Sequence, residues 1–156
     1  MTNNKQQTTN NKQQITKFIV FKIADYLLAL PMSDVLKVVN FPPGSNHLGV
    51  MGLVQLGRHT IRTVDLHQQL SSGDVSSVAK NLPFLVIIRN PQGELCGIAV
   101  DDTPNLMEFP LDLMRSVPQS FGQSNILEMV SHTLVLSEEE VATTIFMLDV
   151  KRLFCY

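Results

Sequence analysis

The sequence predicts an all-β fold of many short strands, and three features indicate this class. Short apolar runs rich in β-branched residues recur along the chain. Gly, Pro, Asn and Asp residues separate these runs at positions where tight turns are expected. The 156 residues are 44% hydrophobic, enough to fill one ordinary domain or two very small ones that share a core. A small barrel or sandwich is therefore expected.

The first strands are expected to begin near Ile15. In "KFIVFKI" the side chains alternate, so Phe18 and Val20 should lie on one strand face and Ile19 and Phe21 on the other. Because both faces are mostly apolar, both are expected to be buried. After a tight turn "YLLALP" should form a second strand. "SDVLKVVNF" should form a third element, with one helical turn possible at its start.

Two hairpins are expected in the middle of the chain. The runs "LGVMGLVQL" and "HTIRTVDL" flank Gly57-Arg58, and "FLVIIRN" and "ELCGIAVDD" flank a turn at Pro91-Gln92-Gly93. Proline presets φ and glycine admits positive φ, so the second turn has a clear physical basis. Residues 71–81 are small and polar and are expected to form a surface loop between two halves.

The carboxyl-terminal third continues the pattern of short elements. "PLDLMRSVP" is expected to form one short helix, and "NILEMVSHTLVL" one or two strands. "TTIFMLDVKRLF" should form a final strand that enters a terminal helical turn.

The amino-terminal residues 1–14 are expected to form a disordered polar tail. They repeat "NNKQQ" and contain no large apolar residue after Met1, so they have nothing to bury. No apolar run approaches the ~18 residues that suggest a membrane span. A cytoplasmic protein without membrane insertion is therefore expected.

Charge and cysteine content exclude several classes of protein. The formal net charge is -2, and no basic run is dense enough to hold a phosphate backbone, so nucleic acid is not an expected partner. Cys96 and Cys155 lie far apart without metal-site spacing, which indicates neither a disulfide framework nor a zinc site.

The sequence contains no pattern typical of catalysis. The four histidines, His47, His59, His67 and His132, lack the spacing of a metal site. Asp101-Asp102 cannot share a proton on a strand, because neighbouring side chains point to opposite faces. The acidic run "SEEE" at 137–140 is typical of a solvated loop. No enzyme activity, metal or cofactor is expected.

Gly57-Arg58 has two interpretations from the residues alone. A glycine turn exposes backbone N–H groups and arginine binds carboxylates or phosphates, so the pair could bind an anion. The simpler interpretation is a hairpin turn with a surface arginine.

The ordered segments of the chain resemble those of CheW-like coupling proteins of bacterial chemosensory systems. In "GLVQLGRHTIRTVDL", Gly52, Leu56, Asp65 and Leu66 match a family motif, usually Gly-Val-Ile-Asn-Leu-Arg-Gly before a strand ending Pro-x-x-Asp-Leu. Three further segments agree in order: "FIVFKIADYLLALPMSDVLKVV", "CGIAVDDTPNLMEFP" and "TTIFMLDVKRLF". The resemblance covers residues 15–154.

This resemblance implies a fold, an activity and partners. The fold would be two small packed five-stranded SH3-like β-barrels with short helical turns and no catalytic centre. The function would be that of an adaptor coupling the cytoplasmic tips of chemoreceptors to the regulatory domain of a CheA-type histidine kinase. The pathway would serve chemotaxis or surface motility.

Two segments are the candidate partner-binding sites under this resemblance. In "SDVLKVV", Val35, Lys37 and Val39 are expected to share one strand face, the alternative being that the two valines are core residues. This chain has Gly57-Arg58 where the family usually has Arg-Gly, so Arg58 or Arg62 is expected to supply the family's positive charge. The candidates in the hairpin are Gly52, Gln55, Leu56, Gly57, Arg58 and Arg62.

A second function of a different class remains open from the sequence, namely a barrel that holds an apolar small molecule in its lumen. Its case is weaker, because aromatic residues are only 6% of the chain and tryptophan is absent.

Deleting residues 2–14 should leave the melting temperature nearly unchanged, because this segment has no side chains to bury. Thermal unfolding of the full and shortened chains tests this expectation. A fall of many degrees would show that the tail packs on the folded domain.

Overall fold

The computed structural model describes residues 14–40, 52–70, 83–118 and 125–153. Within these ranges the chain forms eleven strands and three short α-helices. Their bounds are β1 Ile15–Ile23, β2 Tyr26–Pro31, β3 Val35–Asn40, β4 Leu53–Leu56, β5 His59–Val64, α1 Leu66–Leu70, β6 Phe84–Arg89, β7 Leu95–Val100, β8 Asn105–Pro110, β9 Met114–Ser116, α2 Asn125–Met129, β10 Val130–Glu138, β11 Val141–Leu148 and α3 Val150–Leu153. Of the expected tail 1–14 only Gln14 is described, and its carbonyl accepts a hydrogen bond from the Leu111 N–H at 2.8 Å.

The strands form two sheets, which confirms the all-β prediction. Sheet A has the order β8-β1-β2-β11-β10-β9, and sheet B has the order β3-β6-β7-β5-β4. The sheets therefore have six and five strands in place of five each, because the three-residue β9 extends sheet A. Within sheet A, β2 and β11 run parallel, and within sheet B, β5 and β7 do so.

The chain has two similar halves, β1–β5 and β6–β11, and each half contributes strands to both sheets. In the first half the hairpin β1–β2 belongs to sheet A, and the next strand, β3, pairs with β6 of sheet B. In the second half the hairpin β6–β7 belongs to sheet B, and the next strand, β8, pairs with β1 of sheet A. A second hairpin in each half, β4–β5 or β10–β11, then completes the sheet that contains the first hairpin of the other half. The segment 71–81, which lies outside the described residues, separates these halves in sequence. It does not separate the sheets, because strands before and after it belong to sheet B.

The core consists of three apolar clusters, of which one holds the two sheets together. The largest lies between the sheets and takes Phe21 and Leu28 from sheet A and Val86 and Ile98 from sheet B. A second cluster lies on the other face of sheet A, and a third on the other face of sheet B. The hairpins β1–β2 and β6–β7 contribute to two clusters each, so both of their faces are buried, as predicted for β1 from its apolar alternation.

Two expected elements have a different structure. The predicted helix in "PLDLMRSVP" is a 3-10 turn at Leu111–Leu113 followed by β9, which pairs with β10. The start of "NILEMVSHTLVL" is helix α2, not a strand. Its side chains Ile126 and Met129 pack into the cluster between the sheets, and so does Val130, the first residue of β10. The i, i+3, i+4 spacing of these residues suits a helix turn.

A β-bulge changes the faces of β3. Val35 pairs with Ile88 and Lys37 with Ile87, so Leu36 is an extra residue without a partner in the ladder. A bulge of this kind shifts the alternation by one residue. The expectation that Val35, Lys37 and Val39 share one face is therefore wrong. Val35 packs on the cluster between the sheets and Val39 on the outer cluster of sheet B.

Three hairpins turn through two residues, and in each the first turn residue has positive φ. These residues are Ala24 at 54°, Gly57 at 60° and Glu139 at 57°. A two-residue loop with positive φ at its first position matches the twist of the flanking strands, and glycine adopts this conformation without strain. The predicted hairpin at Gly57-Arg58 is confirmed, and so is the turn at 91–93, where Gly93 has a φ of 87°.

Val39→Glu should lower the free energy of unfolding by roughly 2 kcal/mol or more, because it places a charge against the outer cluster of sheet B. Leu36→Glu is the matched control on the same strand. Leu36 is 49% exposed, so its substitution should change stability by about 0.5 kcal/mol or less. Chemical denaturation measures both, and equal stability of the two variants would contradict the assignment of Val39 to the core.

Gly57→Ala should lower stability by about 1 kcal/mol, because alanine is strained at positive φ. Ala24→Gly should leave stability unchanged or raise it, because it relieves that strain at the equivalent position of the β1–β2 turn. The exchange Gly57→Arg with Arg58→Gly should destabilise like Gly57→Ala. Thermal unfolding compares the three variants, and an unchanged melting temperature for Gly57→Ala would show that the turn tolerates a Cβ.

Candidate functional site

The β4–β5 hairpin places its side chains on two distinct faces. The paired residues Val54 and Ile61 are buried in the outer cluster of sheet B. The pairs Leu53–Arg62 and Gln55–Thr60 alternate with them and are exposed. The hairpin is anchored by one face and free to contact another molecule through the other, because alternate strand residues point to opposite sides.

Gly52 and Gly57 give the hairpin its backbone shape. Gly52 precedes β4 with a φ of 66°, and its carbonyl accepts a hydrogen bond from the Thr63 N–H at 2.6 Å. This bond fixes the entry of β4 against β5. Gly57 begins the exposed turn, and a Cβ there would meet nothing within 4 Å, so its requirement is conformational and not steric.

Gln55 and Leu56 hold the turn from its two sides. The Gln55 Nε2 donates a hydrogen bond to the Gly57 carbonyl at 3.1 Å, and the Thr60 hydroxyl donates one to the Gln55 Oε1 at 2.8 Å. Leu56 is half-buried and packs on the outer cluster of sheet B. The contacts of these two residues within the hairpin are therefore structural.

Arg58 and Arg62 are both exposed, but they differ in position. Arg58 lies in the turn itself. Arg62 pairs with Cys96 of the parallel strand β7, and Cys96 is buried in the cluster between the sheets. Arg62 thus lies on the margin of the face of sheet B that packs on sheet A. Burial raises the pKa of the Cys96 thiol, while the nearby charge of Arg62 acts in the opposite direction.

The second candidate segment lies on β3, at the other edge of sheet B from β4. Val35 and Val39 are half-buried on opposite faces, and Lys37 is exposed. The two candidate segments therefore do not pair with each other directly, because β6, β7 and β5 lie between them. They form two edges of one sheet.

Exposed apolar side chains next to these candidates were not predicted from the sequence. Met32 is 46% exposed, Leu36 49%, Val38 38% and Leu53 40%. Three of them lie on or directly before the edge strand β3, and Leu53 neighbours Arg62. The apolar run "VLKVV" could have indicated exposed apolar side chains on this strand. Which of its residues are exposed depends on the bulge at Leu36, and the sequence does not show that bulge.

Both aspartates of the family-like motifs cap helices. The Asp65 Oδ1 accepts a hydrogen bond from the His67 N–H at the start of α1, and the Asp149 Oδ1 accepts one from the Lys151 N–H at the start of α3, each at 3.0 Å. A carboxylate at this position satisfies a backbone donor that the helix leaves unpaired. Asp65 and Asp149 follow β5 and β11, so the two halves of the chain end their last hairpin in the same way.

The residues that sequence reasoning considered for chemistry are dispersed. His47 lies outside the described residues, His59 is exposed, and His67 is buried in α1. His132 Nδ1 lies 2.9 Å from the Ser131 hydroxyl. Among the described residues, no group of three or more His, Cys, Asp or Glu side chains could hold a metal ion.

The described helices are also too short to cross a bilayer. The longest have five residues, against the ~20 that a membrane span requires.

Comparison with known proteins agrees with this architecture. A family model described as "CheW-like domain" matches residues 17–155. Among solved structures, the chain is similar to the crystal structure of the scaffolding protein TtCheW from Thermoanaerobacter tengcongensis, with 18% sequence identity and a TM-score of 0.67. That alignment covers 94% of this chain and 92% of the other, and it supports a fold of two SH3-like subdomains. No curated protein sequence matches this chain significantly. Because the family model spans nearly the whole described domain, the chain belongs to the CheW-like domain family.

Proposed function

We propose that this protein is a non-catalytic adaptor that couples chemoreceptors to a CheA-type histidine kinase in a bacterial chemosensory pathway. Membership of the CheW-like family supports a chemotaxis adaptor role in general. The observation that supports the specific role is the β4–β5 hairpin. It lies in the segment that matches the family's central motif at Gly52, Leu56, Asp65 and Leu66, and it exposes Arg58 and Arg62. The proposed partners are the receptor's cytoplasmic tip and the kinase's regulatory domain.

The edges of sheet B are the proposed contact surfaces. Within the described ladders β3 and β4 each have a single strand neighbour, so one side of each strand has backbone groups available for another chain. Edge pairing or packing on such strands is a common mode of protein recognition. Leu36 and Val38 add exposed apolar surface to β3, and Lys37 adds a positive charge.

The candidate residues have different proposed roles. Arg58, Arg62 and Lys37 would contact a partner directly, because their side chains are exposed and charged. Gly52, Gln55, Leu56 and Gly57 would act indirectly, by fixing the hairpin that presents the arginines. Val35 and Val39 would support β3 from its two faces.

The proposed adaptor needs no chemistry of its own to transmit a signal. A bound protein changes the activity of a kinase when it binds one conformational state of the complex better than another. It would act in the cytoplasm, where receptor tips and kinase are accessible. A net charge of -2 without a basic run agrees with protein partners and not with nucleic acid.

The decisive experiment measures binding of the full chain to both partners. The cognate receptor tip and the kinase regulatory domain, purified separately, are titrated against the adaptor by calorimetry. The proposal requires binding to each. Failure to bind either partner would contradict it.

Arg58→Ala should weaken binding to a partner by ~1 to 3 kcal/mol with little loss of stability, because it removes an exposed charged anchor. Arg62→Ala tests the second position that could replace the family's arginine. Lys17→Ala is the control, since it removes an exposed positive charge from β1 in the other sheet.

Leu36→Glu tests the apolar edge β3 in the same titrations and should weaken binding without unfolding the chain. Unchanged binding in both arginine variants would mean that the hairpin's charges do not contact a partner. Unchanged binding in Leu36→Glu as well would remove sheet B as the contact surface.

A further inference from the structure

A cavity of about 1000 Å³ opens at one end of sheet A, away from the β3 and β4 edges of sheet B. Its lining comes from the end of β1 and the start of β2, from the β7–β8 link with the start of β8, and from the β10–β11 hairpin with its turn. The volume lies at the upper end of the range of known small-molecule sites.

The floor of the cavity is part of the outer core of sheet A. Val20 and Ile145 are buried members of that cluster, and Leu27, Met107 and Leu136 are half-buried residues that pack against it. The core of sheet A is thus accessible from this end. An apolar group that enters the cavity would cover these half-buried side chains and gain free energy in proportion to the apolar area removed from water.

The mouth of the cavity is acidic. Its charged lining residues are Lys22, Asp102, Glu138 and Glu139, three carboxylates against one ammonium group. Within the part of the chain that the structure describes, none of these four side chains forms an ion pair. The three carboxylates are therefore available to a cation, and their combined field opposes the entry of an anion.

The carboxylates also have a defined placement. Glu138 ends β10 opposite Val141 of β11, and Glu139 begins the two-residue turn between them. Asp102 is the second residue after the buried strand β7, in the short link to β8. Glu138, on a paired strand, loses less conformational freedom on binding than a carboxylate on a long loop, and Glu139 and Asp102 lie in short connections between strands.

We propose that this cavity binds a small organic cation that joins an ammonium group to an apolar body. The apolar floor and the acidic mouth each select one part of such a molecule. A neutral apolar molecule would gain only the contacts with the apolar floor. A carboxylate analogue would be repelled by the carboxylates at the mouth. The site is separate from the sheet B surfaces of the proposed function, so either can hold without the other.

Three probes of matched size test the proposal: 4-phenylbutylamine as the cation, 4-phenylbutan-1-ol as the neutral analogue and 4-phenylbutyrate as the anion. Each is titrated into the isotopically labelled full chain and followed by amide chemical shifts. The amine should bind about tenfold more tightly than the butyrate, the effect expected of two or three exposed carboxylates. Its shift changes should cluster around Lys22, Asp102, Glu138 and Thr143.

Substitutions distinguish the effect of the carboxylates at the mouth from the effect of the protein's overall surface charge. Asp102→Asn with Glu138→Gln should weaken amine binding by about fivefold or more while leaving the alcohol unaffected. Glu108→Gln is the matched control. It removes an exposed carboxylate from β8, next to the lining residue Met107 but outside the cavity.

Three outcomes would overturn the proposal. They are equal affinity of the amine and the alcohol, equal weakening by Glu108→Gln and by the double variant, and absence of amine binding up to 10 mM, on the order of the weakest affinity expected for a ligand of this size. Thr143→Phe, which places a ring in the cavity, gives an independent check. If this variant folds with native chemical shifts elsewhere and still binds the amine equally, the cavity is not the site.

Discussion

Burial of both faces of the hairpins β1–β2 and β6–β7 is the constraint on which the rest of the structure depends. Each hairpin packs one face on the cluster between the sheets and the other on the outer cluster of its own sheet. Neither sheet could leave the other without exposing residues such as Leu28 and Ile98, which have no exposed surface at all. The exchange of β3 and β8 also connects the two sheets. β3 follows β2 of sheet A along the chain but pairs with β6 of sheet B, and β8 follows β7 of sheet B but pairs with β1 of sheet A.

This arrangement separates stability from recognition. The central strands are covered on both faces, so contacts with another protein must come from edges, turns and sheet ends. In the β4–β5 hairpin, Val54 and Ile61 face the core while Arg62 and the turn residue Arg58 remain exposed. Substitutions at the exposed positions can therefore alter binding with little effect on folding, because they remove no buried contacts.

The two sheets are built in the same way, from two hairpins and an exchanged strand, but they expose different surfaces. Sheet B presents an apolar edge at β3 and a charged hairpin at β4–β5, the proposed contact surfaces for protein partners. Sheet A adds β9 to one edge and opens at its end into a cavity with an acidic mouth. The repeated Asp caps at 65 and 149 show that the halves share local rules, while turn residues and strand ends differ. Such differences give the two proposed sites their different chemistry on one architecture.

The sequence by itself determined the features that depend on local chemistry. These are the two-sided β1, the turns at 57–58 and 91–93, the final strand with its helical turn, and the ordered motifs of the family. Only the tertiary structure decided the strand pairing. The bulge at Leu36 placed Val35 and Val39 on opposite faces, β10 drew residues 114–116 into a strand, and the central cluster favoured a helix at 125–129. The physical reason is that register and burial depend on a distant partner strand, whereas turn geometry depends on neighbouring residues.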